Sequence, residues 1–152
     1  MDIMIKYDVI YHNVDIETAY IGAKSLSEQT DYDRMRTLRA DRNLLKVFVD
    51  DATGKLTAGV GKYILSVENG EDGVCLAMDV RDGLEAGITR MLYAFYTDYV
   101  LERWYMILGL DRKTDSAYAN RGAEIGQLAS EIQSARPEKP GKIASPRRIS
   151  IF

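Results

Sequence analysis

The chain has 152 residues, of which 46% are hydrophobic and 28% charged, with a net charge of −3, a single histidine and a single cysteine. That length fits one domain around one core. A lone Cys75 excludes an intrachain disulfide, and with only His12 beside it the His/Cys ligand sets of a zinc site are excluded too. The longest apolar stretch, residues 91–110, is interrupted by Asp98, Glu102 and Arg103, so it reads as a core helix and not a membrane span. The opening residues 1–6 lack the long apolar run of a signal peptide, and a reducing cytoplasm is the expected folding compartment.

Charge divides the chain in two. All three prolines, Pro137, Pro140 and Pro146, fall in the last sixteen residues, among Arg136, Lys139, Lys142, Arg147 and Arg148. Residues 136–152 therefore carry +4 and the body of residues 1–135 carries −7. Proline fixes φ and removes a donor, so the segment is expected to run extended, as a basic arm ending in Ile149, Ser150, Ile151 and Phe152. Ten tyrosines, each an apolar ring with a polar tip, suit surfaces that become covered by partners.

In chain order, residues 1–14 alternate in part and predict a strand, with Ile3, Ile5, Tyr7, Val9 and Tyr11 on one side. Residues 15–24 repeat Ile16, Ala19, Tyr20 and Ala23 at helical spacing behind the caps Asn13 and Asp15. Polar residues 25–33 predict a loop. Residues 34–65 admit two readings. Leu44, Leu45, Phe48, Ala52, Leu56, Val60, Tyr63 and Ile64 fit a long amphipathic helix, whereas Val47 and Val49, a turn at residues 50–55, and Gly54, Gly59 and Gly61 fit a hairpin.

Asn69-Gly70 and Asp72-Gly73 mark turns before a short strand or extended connector at residues 74–80. Asp82 with Glu85 resembles a capping box opening a helix that is apolar on nearly every side and must be covered on nearly every side, with Gly109 as its left-handed end. Residues 111–115 form the expected connection to a last helix, residues 116–135, with Tyr118, Gly122, Ile125, Ala129 and Ile132 on one face. Its small residues Ala117, Ala119, Gly122, Ala123 and Gly126 permit close approach of another helix, the simplest candidate being the helix before it. The fold class is mainly α with a small β component: a helical body of residues 1–135 and a protruding arm of residues 136–152.

Chemistry is sparse. Gly59-Val60-Gly61-Lys62 lacks both the earlier glycine and the following Ser or Thr of a phosphate loop. His12 reads as an ordinary polar residue and Cys75 as a small buried apolar group. Asp50, Asp51, Glu68, Glu71, Asp72, Asp79 and Asp82 read first as a solvated face. No catalytic residue, metal or cofactor is expected.

Three sets of residues together carry a resemblance: 18–24 (Thr-Ala-Tyr-Ile-Gly-Ala-Lys); Tyr32-Asp33-Arg34 followed by Asp41-Arg42-Asn43-Leu44-Leu45; and Leu101-Glu102-Arg103-Trp104-Tyr105 followed by Ala117-Tyr118 and Ala123-Glu124. In this order, and with a basic Arg-Pro segment after the last helix, the chain resembles small virion proteins of phages and prophages of gut Bacteroidetes. Its layout is similar to the head-tail connector, or adaptor, proteins of tailed bacteriophages. The resemblance spans residues 19–140 and rests on helix-face patterns.

What it implies is a structural subunit of a virion neck: a ring of twelve copies bound to the portal protein, carrying the next neck or tail protein and letting DNA pass through its lumen without sequence-specific binding. It also implies a helix over residues 39–65, from which this chain departs by its three glycines, and an arm that reaches the portal or a neighbouring subunit. The expected contact residues are Arg136, Lys139, Lys142, Arg147, Arg148, Ile149, Ile151 and Phe152. An acidic lumen would repel phosphates and let a duplex slide, and a ring needs two unlike, mutually fitting patches on each subunit. Two other classes remain open: a small helical regulator that uses the arm as a docking motif, and a metal-dependent hydrolase or nuclease using Asp79 and Asp82.

Overall fold

A computed structural model describes residues 1–25, 36–80 and 83–134. The arm, with all eight of its expected contact residues, lies outside the described residues, as do Asp82 of the expected capping box, the Tyr32-Asp33-Arg34 motif and residues 26–33 of the expected loop. The fold is mainly α with a small β component. Strand β1 (Asp2–Lys6) leads into helix α1 (Tyr7–Ser25); helix α2 (Arg42–Val60) is followed by strands β2 (Ile64–Asn69) and β3 (Gly73–Met78), then helices α3 (Glu85–Ile107) and α4 (Asp111–Ser134).

The strand expected over residues 1–14 stops at Lys6, which corrects the sequence reading. From Tyr7 the buried positions are Tyr7, Ile10, Tyr11, Val14 and Thr18, a spacing of three and four that belongs to a helix face. Asn13 and Asp15 are thus not caps but interior residues of α1. β1 keeps its alternation, with Ile3 and Ile5 buried. Its partner is β3, antiparallel, with Ile3 opposite Leu76 and Ile5 opposite Val74. The chain terminus is tied into the same ladder: the Met1 ammonium donates to the Met78 carbonyl at 3.0 Å, and the Met78 amide donates to the Met1 carbonyl at 2.7 Å.

Residues 42–60 are helical, which decides between the two readings of that region, and its three glycines do not make a hairpin. Leu45, Phe48, Val49, Ala52, Leu56 and Val60 form the buried stripe, while Leu44 and Val47 face outward. The helix ends at Val60, short of residue 65, because Ile64 is the first residue of β2. The hairpin lies one element later. β2 and β3 pair antiparallel around the turn predicted by Asn69-Gly70 and Asp72-Gly73, so of the two readings of residues 74–80 the strand holds and the extended connector does not, and the sheet order is β1-β3-β2. A register shift between Ile64 and Ser66 turns Leu65 out to 70% exposure.

The inner face of the sheet (Ile3, Ile5, Val74, Leu76, Met78) and the buried stripes of α1 and α2 close on α3. Phe95, Tyr96, Tyr99, Val100, Leu101, Trp104 and Tyr105 of that helix are all buried, as expected for a helix apolar on most sides. α3 starts at Glu85, with Leu84 as its N-terminal flank and no side-chain cap bond. Gly109, at φ +73°, reverses the chain as expected. α4 then begins at Asp111, so residues 111–115 are helix and not a connection: the single left-handed glycine suffices to turn the chain.

Gly73 has a specific reason to be glycine. A Cβ there would run into the carbonyl of Ile5 across the β1–β3 pair, whereas a Cβ on Gly54, in mid-α2, would meet nothing within 4 Å. Gly73→Ala is therefore expected to destabilise the protein by about 2 kcal/mol or more through strand displacement, and Gly54→Ala to stabilise it by roughly 0.5–1 kcal/mol through helix propensity. Urea unfolding of both variants checks the pair, and equal effects would contradict the β1–β3 register.

Candidate interaction surfaces

The α3–α4 seam carries the most unusual chemistry of the described residues. Glu102 is 3% exposed and accepts two hydrogen bonds from Arg121, Nε at 3.1 Å and Nη2 at 3.2 Å. The Arg121 guanidinium lies 4.9 Å from the ring centroid of Tyr99 and 4.7 Å from that of Tyr118. Arg103 stacks on Tyr99 at 5.3 Å and donates to its hydroxyl at 3.0 Å.

This arrangement rotates α4 away from the predicted face. Ala117, Leu128 and Ile132 are buried, Arg121, Ile125 and Ala129 are half-buried, and Tyr118 points outward. Of the small residues, only Ala117 packs inside. Ala119, Gly122, Ala123 and Gly126 are exposed, and a Cβ on either glycine would meet nothing within 4 Å, so they do not face α3.

One turn from the ion pair, Glu124 shares a hydrogen bond with Asp98. Burial, then the hydrogen bond and the negative charge of Asp98, push the Glu124 carboxyl up to about 8, and its Oε2 is buried with no partner. Protonated, the Glu124 carboxyl can donate to Asp98. Asp98 also opens onto two adjoining clefts. One, of about 140 Å³, is bounded by Glu17, Asp98, Leu101, Tyr105, Lys113 and Asn120. The other, of about 310 Å³, runs between α1 and α3 past Asn13, Ile16, Ala94 and Thr97, and shares Glu17 and Asp98 with the first. Together they make one groove along α1, α3 and α4. Burial pushes the Tyr105 hydroxyl well up, with Glu17 and Asp98 adding to the effect.

A second polar cluster holds α1 to α2. Arg42 reaches Asp15 with both terminal nitrogens and lies 5.1 Å over Tyr11; Asp15 also accepts from Thr37, whose amide donates to Thr18 Oγ1 at 3.0 Å. Burial alone would raise the Asp15 carboxyl, but the hydrogen bonds from Arg42 and Thr37 outweigh it and hold it below the usual carboxylate range. This cluster is saturated by its own partners and has a structural role.

The other sequence candidates scatter. His12 is exposed on α1, not at a strand end. Cys75 is only half-buried, on the outer face of the sheet opposite Met4. Gly59 to Lys62 span the end of α2 and a 3-10 turn, which is no phosphate-loop geometry. Asp50, Asp51, Glu68, Glu71 and Asp72 are exposed and Asp79 is half-buried. Among the described residues no group of three or more His, Cys, Asp or Glu is arranged to hold a metal ion. No known protein family matches the chain, and neither does any characterised protein or solved structure.

Because the fold keeps Glu124 protonated and the unfolded chain releases that proton near the ordinary value of 4.5, the folded state binds more protons between about pH 4.5 and 8. Stability contributed by this group is complete below pH 4.5 and is lost as pH rises through 8. Glu124→Gln, whose amide can donate to Asp98 without ionising, is expected to flatten that slope and to melt above the wild type at pH 8. Thermal melts from pH 5 to 8 check this, and parallel profiles for the two proteins would show that no proton is shared.

Proposed function

We propose that the protein is a structural subunit that assembles with copies of itself and with other virion proteins, as the head-tail connector resemblance implies: a ring on the portal that extends the DNA channel. The observation that carries the reading is the distribution of uncovered apolar surface. The core is complete without Ile16, Val47, Leu65, Met106, Ile107 and Tyr118, each more than half exposed and spread over α1, α2, β2, α3 and α4. Isolated exposed apolar side chains are ordinary on a monomer. Here they accompany a bare small-residue face on α4 and a chain whose charge is divided between an acidic body and a basic segment.

A closed ring requires two unlike patches per subunit that fit each other head to tail, and this chain offers several faces from which to draw them. The acid side chains of α2 and of the β2–β3 turn, Asp50, Asp51, Glu71 and Asp72, suit a lumen through which a duplex slides without adhering.

Removal of residues 136–152 is expected to leave helical content and cooperative unfolding unchanged while abolishing the multimer and its co-elution with portal protein. Sedimentation velocity of the full and shortened chains, with circular dichroism as the control for folding, decides it. A full-length chain that stays monomeric at high concentration with portal protein present would overturn the reading.

A further inference from the structure

We propose that the groove between α1, α3 and α4 receives the basic segment 136–152 of a neighbouring copy, an inference that rests on the assembly reading for the origin of the segment. Three features converge on the groove. Its centre is acidic, with Glu17 and Asp98 on the shared wall of the two clefts and Lys113 as the one cation among the described residues of the lining. Tyr105, only 5% exposed, borders it and brings a phenol hydroxyl to the lining, a group able to donate to or accept from an incoming backbone. Ile16, 54% exposed, and Ala94 give the α1 end an apolar margin. The groove thus matches a ligand that is extended, cationic along its length and apolar at its tip.

Segment 136–152 has that composition: five basic residues against Glu138, then Ile149, Ile151 and Phe152. Its three prolines each fix their own φ and disfavour helix at the residue before, which lowers the conformational entropy to be lost on docking.

Geometry favours a neighbour's groove. The acidic centre lies beside the N-terminal half of α4, at Lys113 to Asn120, whereas the segment departs from the opposite end of that helix, after Ser134, about 20 Å away at the helical rise. Groove and segment at opposite ends of one subunit are the two halves of a head-to-tail contact. Eighteen residues follow Ser134, and when extended they span roughly 60 Å, enough to leave one body and cross the next.

The test uses the full chain. An equal mixture of unlabelled and ¹⁵N-labelled protein, treated with a zero-length carbodiimide, is expected to couple Glu17 or Asp98 to Lys139 or Lys142 in peptides of mixed isotope. Glu17→Lys, at an exposed position that leaves the core intact, is expected to weaken self-association about tenfold or more, and addition of Arg147→Glu and Arg148→Glu in the same chain to restore it. Assembly with no coupling at Glu17 or Asp98 would overturn the inference and leave the assembly reading standing. Coupling confined to single-isotope peptides would place the segment in its own groove and overturn the exchange between copies. A monomeric chain without coupling would overturn both.

Discussion

α3 has to be covered on almost every side, and the way in which its one buried charge is met determines how α4 sits. Glu102 is taken out of water in the middle of the α3–α4 seam, and a buried carboxylate without a partner would cost several kcal/mol, roughly 3–5. Arg121 supplies that partner with two hydrogen bonds while stacked between Tyr99 and Tyr118. To do so it must face α3. That requirement turns Tyr118 and the exposed small residues of α4 outward, and it places Glu124, three residues on, against Asp98. The uncovered helix face and the shared proton are both consequences of one ion pair.

The elements most legible in the sequence are those whose periodicity has a single explanation. α3 is apolar on several stripes over more than five turns, which only a surrounded helix satisfies, and Gly109 marks its end because the turn requires positive φ. Residues 1–14 misled because Ile3, Ile5, Tyr7, Val9 and Tyr11 alternate, while Tyr7, Ile10, Tyr11, Val14 and Thr18 obey the helical period equally well. Tertiary contact chooses between them: β3 has room beside only five residues of β1, and the chain beyond Lys6 packs on α3 instead. Gly54 and Gly59 weighed toward a hairpin, yet α2 tolerates them because its buried stripe supplies more stabilisation than two glycines remove.

The candidate surface was far less legible. Glu17, Asp98, Tyr105 and Asn120 come from three helices, and no spacing in the chain links them. Asp98 appears in the sequence only as an interruption of an apolar run, sufficient to argue against a membrane span but silent about its neighbour Glu124. Arg121 and Glu102 carry a weak signal, since opposite charges on two consecutive apolar helices have reason to meet, but the rotation that brings them together becomes visible only when the helices are packed. The basic segment, by contrast, is plain from composition, because its prolines and cations are contiguous.

Asp98 serves the seam and the groove at once, and the two roles are linked. Its carboxylate accepts the proton held by Glu124 on one side and faces the groove on the other, with Glu17 beside it and Lys113 across the cleft. A cation drawn into the groove lowers the negative potential at Asp98 and so weakens the reason for Glu124 to keep its proton. By reciprocity, loss of that proton adds charge next to the groove and strengthens its hold on the cation. Acid therefore favours a less negative groove, and mildly alkaline conditions a more negative one. If the groove holds a basic segment, as proposed, a carboxyl that stays neutral until a cation arrives serves it better than two fixed charges, because the second charge develops only when a cation is there to meet it.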